Sequence, residues 1–351
     1  MGDRRLVAYG ENIISKNETK MIKKVLNKYD FRAIDFSKVR SVYKIETTSG
    51  NKCLKRTKHG KYKIRNGHML VEELKKAGFN NIADYYNTKQ GAYYVKYNKW
   101  VFYATDWIDG EECDLSYIEE VEECAKLLGE FHKATKNIDL SKINVKNHLK
   151  KWPKVFSRNL NDMEKFKKVI QHKRVKNEFD SIYYEHIENF YSRGLVALNY
   201  LNTSDYYRIS KETNKDKSLC HNSFYYQNII KKDNKYYLID LDSIIIDIQV
   251  NDLGKFIRRL MAKKEYQWDF EKAKRIIKAY NSVYKLEKSD LEVMLALIIF
   301  PHKFWKLGKK RYKKHKHWSE GKYMNKLNKI IKYDEYERKF LEEYIKYLEE
   351  Y

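Results

Sequence analysis

A chain of 351 residues is long enough for a large core and, by length, for two compact parts, and its 2 prolines and 13 glycines leave little room for disordered linkers. Its four cysteines (Cys53, Cys113, Cys124, Cys220) show no Cys-x-x-Cys spacing, which argues against a zinc or disulfide framework and suits a reducing compartment. A formal charge of +24 would ordinarily point to nucleic acid or an anionic surface, but Lys, Tyr, Asn and Ile are abundant together while Pro and Ala are scarce, as codon bias in an AT-rich genome produces.

The first residues, Met-Gly-Asp-Arg-Arg-Leu, carry no apolar signal core, and Leu6 replaces the Ser/Thr of a myristoylation motif. The longest apolar run, Val293 to Phe300, is too short to span a bilayer, so the sequence predicts a soluble protein.

Taken in chain order, Val42–Thr48 and Lys52–Arg56 are β-prone runs joined around Ser49-Gly50-Asn51, with Lys55 on the second strand. A helix is predicted from about His68 to Ala77, carrying Glu72 and Glu73. Tyr93–Lys96 and Trp100–Trp107 form a second hairpin around Asn98-Lys99. The first hundred residues thus read as an antiparallel sheet with one helix. The linker Asp106-Trp107-Ile108-Asp109-Gly110 follows. Ser116 and Glu119 then form a capping box, and Val121, Cys124, Ala125, Leu128 and Phe131 give the new helix an apolar stripe. His132 beside that stripe reads as a packed core histidine.

Beyond residue 140 the chain reads as helical, with one interruption. Ile229–Lys232 and Lys235–Asp240 flank Asp233-Asn234, a credible two-residue turn. Counting outward, Lys232 faces Lys235 and Asn228 falls opposite Ile239, with Asp240 one residue further. Asp242 is expected on the same strand face as Asp240. Two carboxylates around a lone Leu in an apolar run are costly without partners. Asn251-Asp252 is expected to cap a helix through Leu253, Phe256, Ile257 and Leu260, and either Asp247 or Asp252 is placed to brace the segment before the hairpin. The basic cluster Lys303–His317 interleaves Phe304, Trp305 and Tyr312, with Trp318 just beyond it. It reads as a helical hairpin with a solvated lysine face and buried aromatics, the alternative being a polyanion surface. Asp334 and Glu337 form a capping box for a last helix that buries Phe340, Leu341, Tyr344, Ile345 and Leu348.

The chemistry lies between His221 and Asp242. A phosphotransferase loop of the kinase type sets a carboxylate beside the acceptor hydroxyl, an Asn five residues later on a metal ion, and an Asp on the next strand that holds the metal against the phosphates. Asn228 and Asp240 occupy the two metal positions, and Asp242 is a third candidate ligand. Ser223 stands where the catalytic Asp belongs, two residues after His221. Lys55 is the candidate for the lysine on the α- and β-phosphates, with Glu72 or Glu73 as its partner, and the backbone of Asp106 and Ile108 would receive an adenine edge. Mg2+ and ATP are the cofactors such a set would hold. No G-x-G-x-x-G loop precedes Val42, which counts against an ordinary protein kinase.

Leu-Cys-His-Asn-Ser-Phe-Tyr-Tyr-Gln-Asn at 219–228, Ile-Asp-Leu-Asp-Ser at 239–243 and Asn-Asp-Leu-Gly-Lys-Phe-Ile-Arg-Arg-Leu at 251–260 resemble the CotS-type spore coat proteins of the aminoglycoside phosphotransferase and choline kinase-like superfamily. Trp107-Ile108-Asp109-Gly110 and Leu128-Gly129-Glu130-Phe131-His132-Lys133-Ala134 support the likeness. The superfamily pattern His-x-Asp, then Asn five residues on, carries over as His221, Ser223 and Asn228. The resemblance implies an α+β, two-lobed, protein kinase-like fold, with a small antiparallel-sheet N-lobe over 1–106 and a large mainly helical C-lobe over 107–351 that includes the hairpin. It also implies synthesis in the mother-cell cytoplasm and deposition in the spore coat among other coat proteins, while the short apolar run argues against a membrane partner and the lack of a nucleic-acid-binding motif against nucleic acid.

Loss of a general base typically costs ~10²–10⁴-fold in rate, so Ser223 implies weak or absent phosphotransfer while leaving nucleotide binding open. Three functions are thereby defined: a structural or nucleotide-binding coat protein with a degenerate site, an active ATP-dependent phosphotransferase on a hydroxylated small molecule or coat sugar with Asp242 substituting, and a polyanion binder through residues 303–317.

Overall fold

The computed structural model describes residues 14–58, 60–136 and 138–351, so the N-terminal segment read for a signal sequence lies outside the described residues. The chain divides into two compact units. One comprises Met1–Cys113, Asn137–Val145 and Tyr225–Ser243; the other comprises Asp114–Lys136, Lys146–Phe224 and Ile244–Tyr351. The Ile229–Leu238 hairpin thus groups with the residues that precede Asp114.

In the first unit, helix α1 (Lys16–Leu26) is capped by Ser15, whose Oγ accepts the Glu18 N–H at 3.2 Å. This helix was not among the expected elements, although Ser15 with Glu18 and the i, i+3, i+4 spacing of Ile22, Val25 and Leu26 signal it. Strands β1 (Ala33–Val39), β2 (Val42–Thr47) and β3 (Lys52–Thr57) precede α2 (Lys61–Lys76), which starts seven residues earlier than predicted. Strands β4 (Tyr85–Tyr86), β5 (Val95–Tyr97), β6 (Trp100–Asp106) and β7 (Glu111–Glu112) follow. The antiparallel sheet runs β1-β2-β3-β6-β4, with β5 paired to β6. Tyr43 and Ile45 alternate inward on β2 and join Leu54, Phe102 and the α1 face in one core.

The hairpin forms in the expected register, with Lys232 opposite Lys235 and the Ile239 N–H donating to the Asn228 carbonyl at 3.0 Å. Asp233 and Asn234 both have positive φ, 49° and 58°, as a type I′ turn requires. Strand β7 adds to the open edge of Ile229–Lys232. Gly110 makes that possible, because a Cβ there would lie 2.3 Å from the Lys231 carbonyl oxygen. The second strand ends at Leu238. Asp240 then turns to φ +67° and Leu241–Ser243 winds into a 3₁₀ turn, so Asp240 and Asp242 do not share a strand face as expected.

The second unit is mainly helical. Helix α3 (Ile118–Thr135) starts without its expected capping box: Ser116 instead bonds Asp114, Oγ to Oδ1 at 2.6 Å. Helices α4 (Trp152–Gln171), α5 (Glu178–Thr203), α6 (Tyr206–Asp216), α7 (Val250–Met261), α8 (Phe270–Val283) and α9 (Lys288–Ile299) follow. The apolar run noted in the sequence falls in α9, which is buried on all sides and packs on α5 and α7. Among the described residues no helix is long and apolar enough to cross a membrane. Asn251 and Asp252 lie inside the first turn of α7 rather than capping it. A three-stranded ladder of Lys146–Asn147, Leu219–Cys220 and Ile245–Ile246 anchors the segment that enters the His221 loop.

Helix α10 (His302–Gly308) continues into a five-residue π-helical turn, Lys309–Lys313, before α11 (Glu320–Lys332) and α12 (Asp334–Glu350). The basic cluster is therefore a helical hairpin, with Phe304 and Tyr312 buried as anticipated. Asp334 and Glu337 do not box the start of α12; both carboxylates take Arg193, Asp334 at 2.9 Å. Phe340, Tyr344 and Leu348 supply its buried face.

Candidate functional site

The first unit brings Lys55, Asp240 and Asp242 together. Lys55 Nζ donates to Asp240 Oδ1 at 3.1 Å and lies 5.8 Å from the Tyr103 ring centre. Burial pulls the Lys55 pKa down, but Asp240, Cys53 and Asp242 outweigh it and hold the ammonium above its ordinary value. Asp242 Oδ2 accepts the Tyr103 hydroxyl at 3.0 Å, while its Oδ1 is buried with no hydrogen bond among the described residues. Burial raises the Asp242 carboxyl, with Lys55 opposing and Asp240 reinforcing. The Asn228 backbone is fixed on both sides, its N–H to the Tyr225 carbonyl at 2.8 Å and its own carbonyl to Ile239.

Lys55 takes neither glutamate proposed for it. Glu72 sits 3.3 Å from His68 Nδ1 with its side chain 55% exposed, and Glu73 pairs with Lys76 at 2.6 Å. Glu73 is satisfied one helical turn away on α2 itself and Glu72 faces solvent, while the charge that reaches Lys55 comes from beyond the hairpin. Asp106 accepts from the Tyr86 hydroxyl, Lys52 Nζ at 3.3 Å and the Asp84 N–H at 3.1 Å. The Ile108 carbonyl accepts the Gly110 N–H at 3.0 Å, while the Ile108 N–H makes no hydrogen bond among the described residues. Asp109 ties the linker back to the β2–β3 turn through Asn51 Nδ2 at 2.9 Å, a link for which the sequence held no signal.

The second unit positions His221 and Ser223. Asp252 Oδ2 accepts the His221 N–H at 2.6 Å and Oδ1 accepts the Asn222 N–H at 2.8 Å. Asn222 sits at φ +62° and its side chain takes Lys255 Nζ at 2.8 Å. His132 is fully buried, with Nε2 3.3 Å from Asp252 and Nδ1 2.7 Å from the Tyr280 hydroxyl; the tautomer with Nε2–H donating and Nδ1 accepting satisfies both partners. Burial would raise the Asp252 carboxyl, but His132, Lys255 and His221 hold it below the usual carboxylate range. Between the two candidate braces the structure thus selects Asp252. Asp247 instead accepts Trp152 Nε1 at 3.1 Å and the Ile248 N–H at 3.0 Å, and burial pushes its pKa up to about 6. His221 Nδ1 accepts the Ser223 N–H at 3.3 Å, so this histidine holds its own loop. His132, Cys220 and Asp252 offer ligand atoms within 4.8 Å of one another, yet both Asp252 oxygens serve amides and Cys220 Sγ donates to two carbonyls. That trio is a hydrogen-bonded brace.

An antiparallel sheet followed by a mainly helical part is the kinase-like fold class of the aminoglycoside phosphotransferases. Within that class the chain belongs to the family described as "Spore coat putative kinase YutH", matched over residues 22–344. It is 25% identical over 334 residues to spore coat protein S of Bacillus subtilis (strain 168), covering 93% of this chain and 94% of that protein. Its fold is similar to an aminoglycoside phosphotransferase from Alicyclobacillus acidocaldarius, with a TM-score of 0.83 at 19% identity over 94% of this chain and 96% of that one. A spectinomycin phosphotransferase in complex with ADP and spectinomycin aligns with a TM-score of 0.57 at 12% identity, covering 90% and 93%. The amicoumacin kinase hAmiN in complex with AMP-PNP and Ca2+ aligns with a TM-score of 0.59 at 11% identity, covering 92% and 94%.

Proposed function

We propose that this spore-coat-family protein binds ATP with a divalent cation through its first unit and transfers phosphate slowly or not at all. One observation carries the reading: Asp240 and Asp242 present carboxylate oxygens beside Lys55, and Asp242 Oδ1 is buried without a hydrogen-bond partner among the described residues. Orphaned buried acceptors are rare, and a hard cation such as Mg2+ takes oxygen donors of this kind. Asp240, Asp242 and Asn228 would hold the metal, which supplies charge neutralisation between phosphates. Lys55, held protonated, would bind the α- and β-phosphates, and the Ile108 N–H would meet the adenine edge. The relatives solved with ADP and with AMP-PNP and Ca2+ support this assignment by fold.

Ser223 limits the chemistry. Its hydroxyl has no negative charge to orient an acceptor and is a very poor base at neutral pH, which removes ~10²–10⁴-fold from the rate. Calorimetry of ATP with and without Mg2+ tests the reading. Magnesium-dependent binding in the parent, lost in Asp240→Ala, is expected; no binding at millimolar nucleotide would overturn it and leave a fold kept for coat assembly. The raised proton affinity of Asp242 favours a second reading, in which that carboxylate acts as the base of a working phosphotransferase. Turnover of ATP with a hydroxylated acceptor, lost in Asp242→Asn while nucleotide binding persists, would establish it.

A further inference from the structure

The lysines of α10, the π-helical turn and α11 follow a pattern that the nucleotide site does not use. Lys303, Lys306 and Lys310 recur at i, i+3 and i+7, and Lys322, Lys326 and Lys329 at i, i+4 and i+7, so each set lines one helical face. The two helices pack together, and the ammoniums of Lys310, Lys322 and Lys326 lie 4.3, 4.7 and 5.6 Å from the centre of the Trp318 ring. Two rows of like charge thus lie on packed neighbouring helices, converging on Trp318.

Among the described residues none of the six makes an ion pair, although their neighbours do: Arg311 takes Glu320, Lys313 takes Asp162 and Arg193 takes Asp334. The crowding shows in proton affinity. Burial, then Lys306, Lys326, Lys316 and Lys322, lowers Lys310. Although the Lys303 side chain reaches solvent, desolvation together with Lys329, Arg258 and Lys326 outweighs Glu337 and brings it to about 8. Like charges one turn apart destabilise a helix surface, a repulsion that a bound anion would relieve.

The aromatic side chains narrow the ligand class. Phe304 and Tyr312 are buried. Trp305 and Trp318 pack against the same core; Trp305 carries Lys309 4.4 Å from its ring centre, and Trp318 carries the three ammoniums. Sequence-tolerant binding of single-stranded nucleic acid relies on open rings for bases to stack on, and these four rings are engaged.

We propose that the α10–α11 lysine face binds a linear, base-free polyphosphate-type polyanion, whose charges bridge the Lys303–Lys306–Lys310 and Lys322–Lys326–Lys329 rows. The test is fluorescence anisotropy of the full chain with end-labelled inorganic polyphosphate across a series of NaCl concentrations spanning the physiological value. Lys306→Gln with Lys326→Gln is expected to weaken binding by about tenfold and to flatten the slope of log affinity against log salt by about 1.4, two contacts at ~0.7 each. Lys20→Gln with Lys24→Gln, an equal loss of charge on α1, should leave affinity within about twofold, and Lys306→Arg with Lys326→Arg should retain it. Polyphosphate should raise the thermal midpoint of the parent and not of the glutamine variant, which itself should unfold no earlier than the parent. Equal losses in the two glutamine variants, or no binding at physiological salt, would overturn the proposal. Tighter binding of an oligonucleotide of matched charge would overturn it in favour of nucleic acid.

Discussion

Asp252 commits both carboxylate oxygens to backbone amides of a loop 30 residues away in sequence, and it holds a buried histidine as well. Asp252→Ala would leave two buried N–H groups and His132 without an acceptor. It is expected to cost about 3–5 kcal/mol, read by chemical denaturation, with Asp252→Asn recovering part. The sequence narrowed the brace to Asp247 or Asp252 but could not choose, because both are short acidic side chains in apolar surroundings and only the fold shows which one meets the loop. Asp247 makes a separate prediction. Its folded pKa of about 6 lies above the unfolded value, so the folded state binds the extra proton. Its contribution is fully present below about pH 4 and is lost as pH rises through about 6, on the order of 2–3 kcal/mol. Denaturation at a series of pH values should show this limb in the parent and not in Asp247→Asn; equal pH dependence in both proteins would refute the assignment.

Among the elements, the register of the hairpin was readable although the end of its second strand was not, since a two-residue turn fixes register through local chemistry alone. Counting outward from that turn is enough to locate Asn228 opposite Ile239, and with it the neighbouring Asp240. Capping boxes were less dependable. Ser116 turns to Asp114, and the Asp334–Glu337 pair is taken by Arg193 from about 140 residues away, a competition that no local window reveals. The partner of Lys55 was invisible for the same reason. Periodicity gave α2 its existence and not its start, since Lys61–Gly67 carries few apolar residues. The Asp-Gly pair at 109–110, readable only as a linker, proves to be where the backbone runs against the hairpin edge. Gly110→Ala forces a Cβ to 2.3 Å from the Lys231 carbonyl and should destabilise by about 1–3 kcal/mol, while Gly321→Ala, in open space on α11, should be neutral or stabilising by thermal melting.

At the level of the whole molecule, a charge of +24 acts on stability as well as on partners. Self-repulsion opposes compaction, and monovalent salt screens it over about 10 Å at ~0.1 M. The thermal midpoint should therefore climb as NaCl is raised through the physiological range; a flat response would show that self-repulsion contributes little to the stability of this fold. The fold class was legible from the sheet-then-helices order and the family resemblance. Whether catalysis survives was not, because that rests on one hydroxyl.

The pairing of Lys55 with Asp240 has a thermodynamic corollary. A cation arriving alone at Asp240 would strip the ammonium of its partner, and a phosphate arriving alone at Lys55 would do the same to the carboxylate. If both ligands bind as proposed, each repairs the imbalance that the other creates, and by linkage each raises the affinity of the other by the same factor. Such a site would answer most strongly when both are present and weakly to either one by itself.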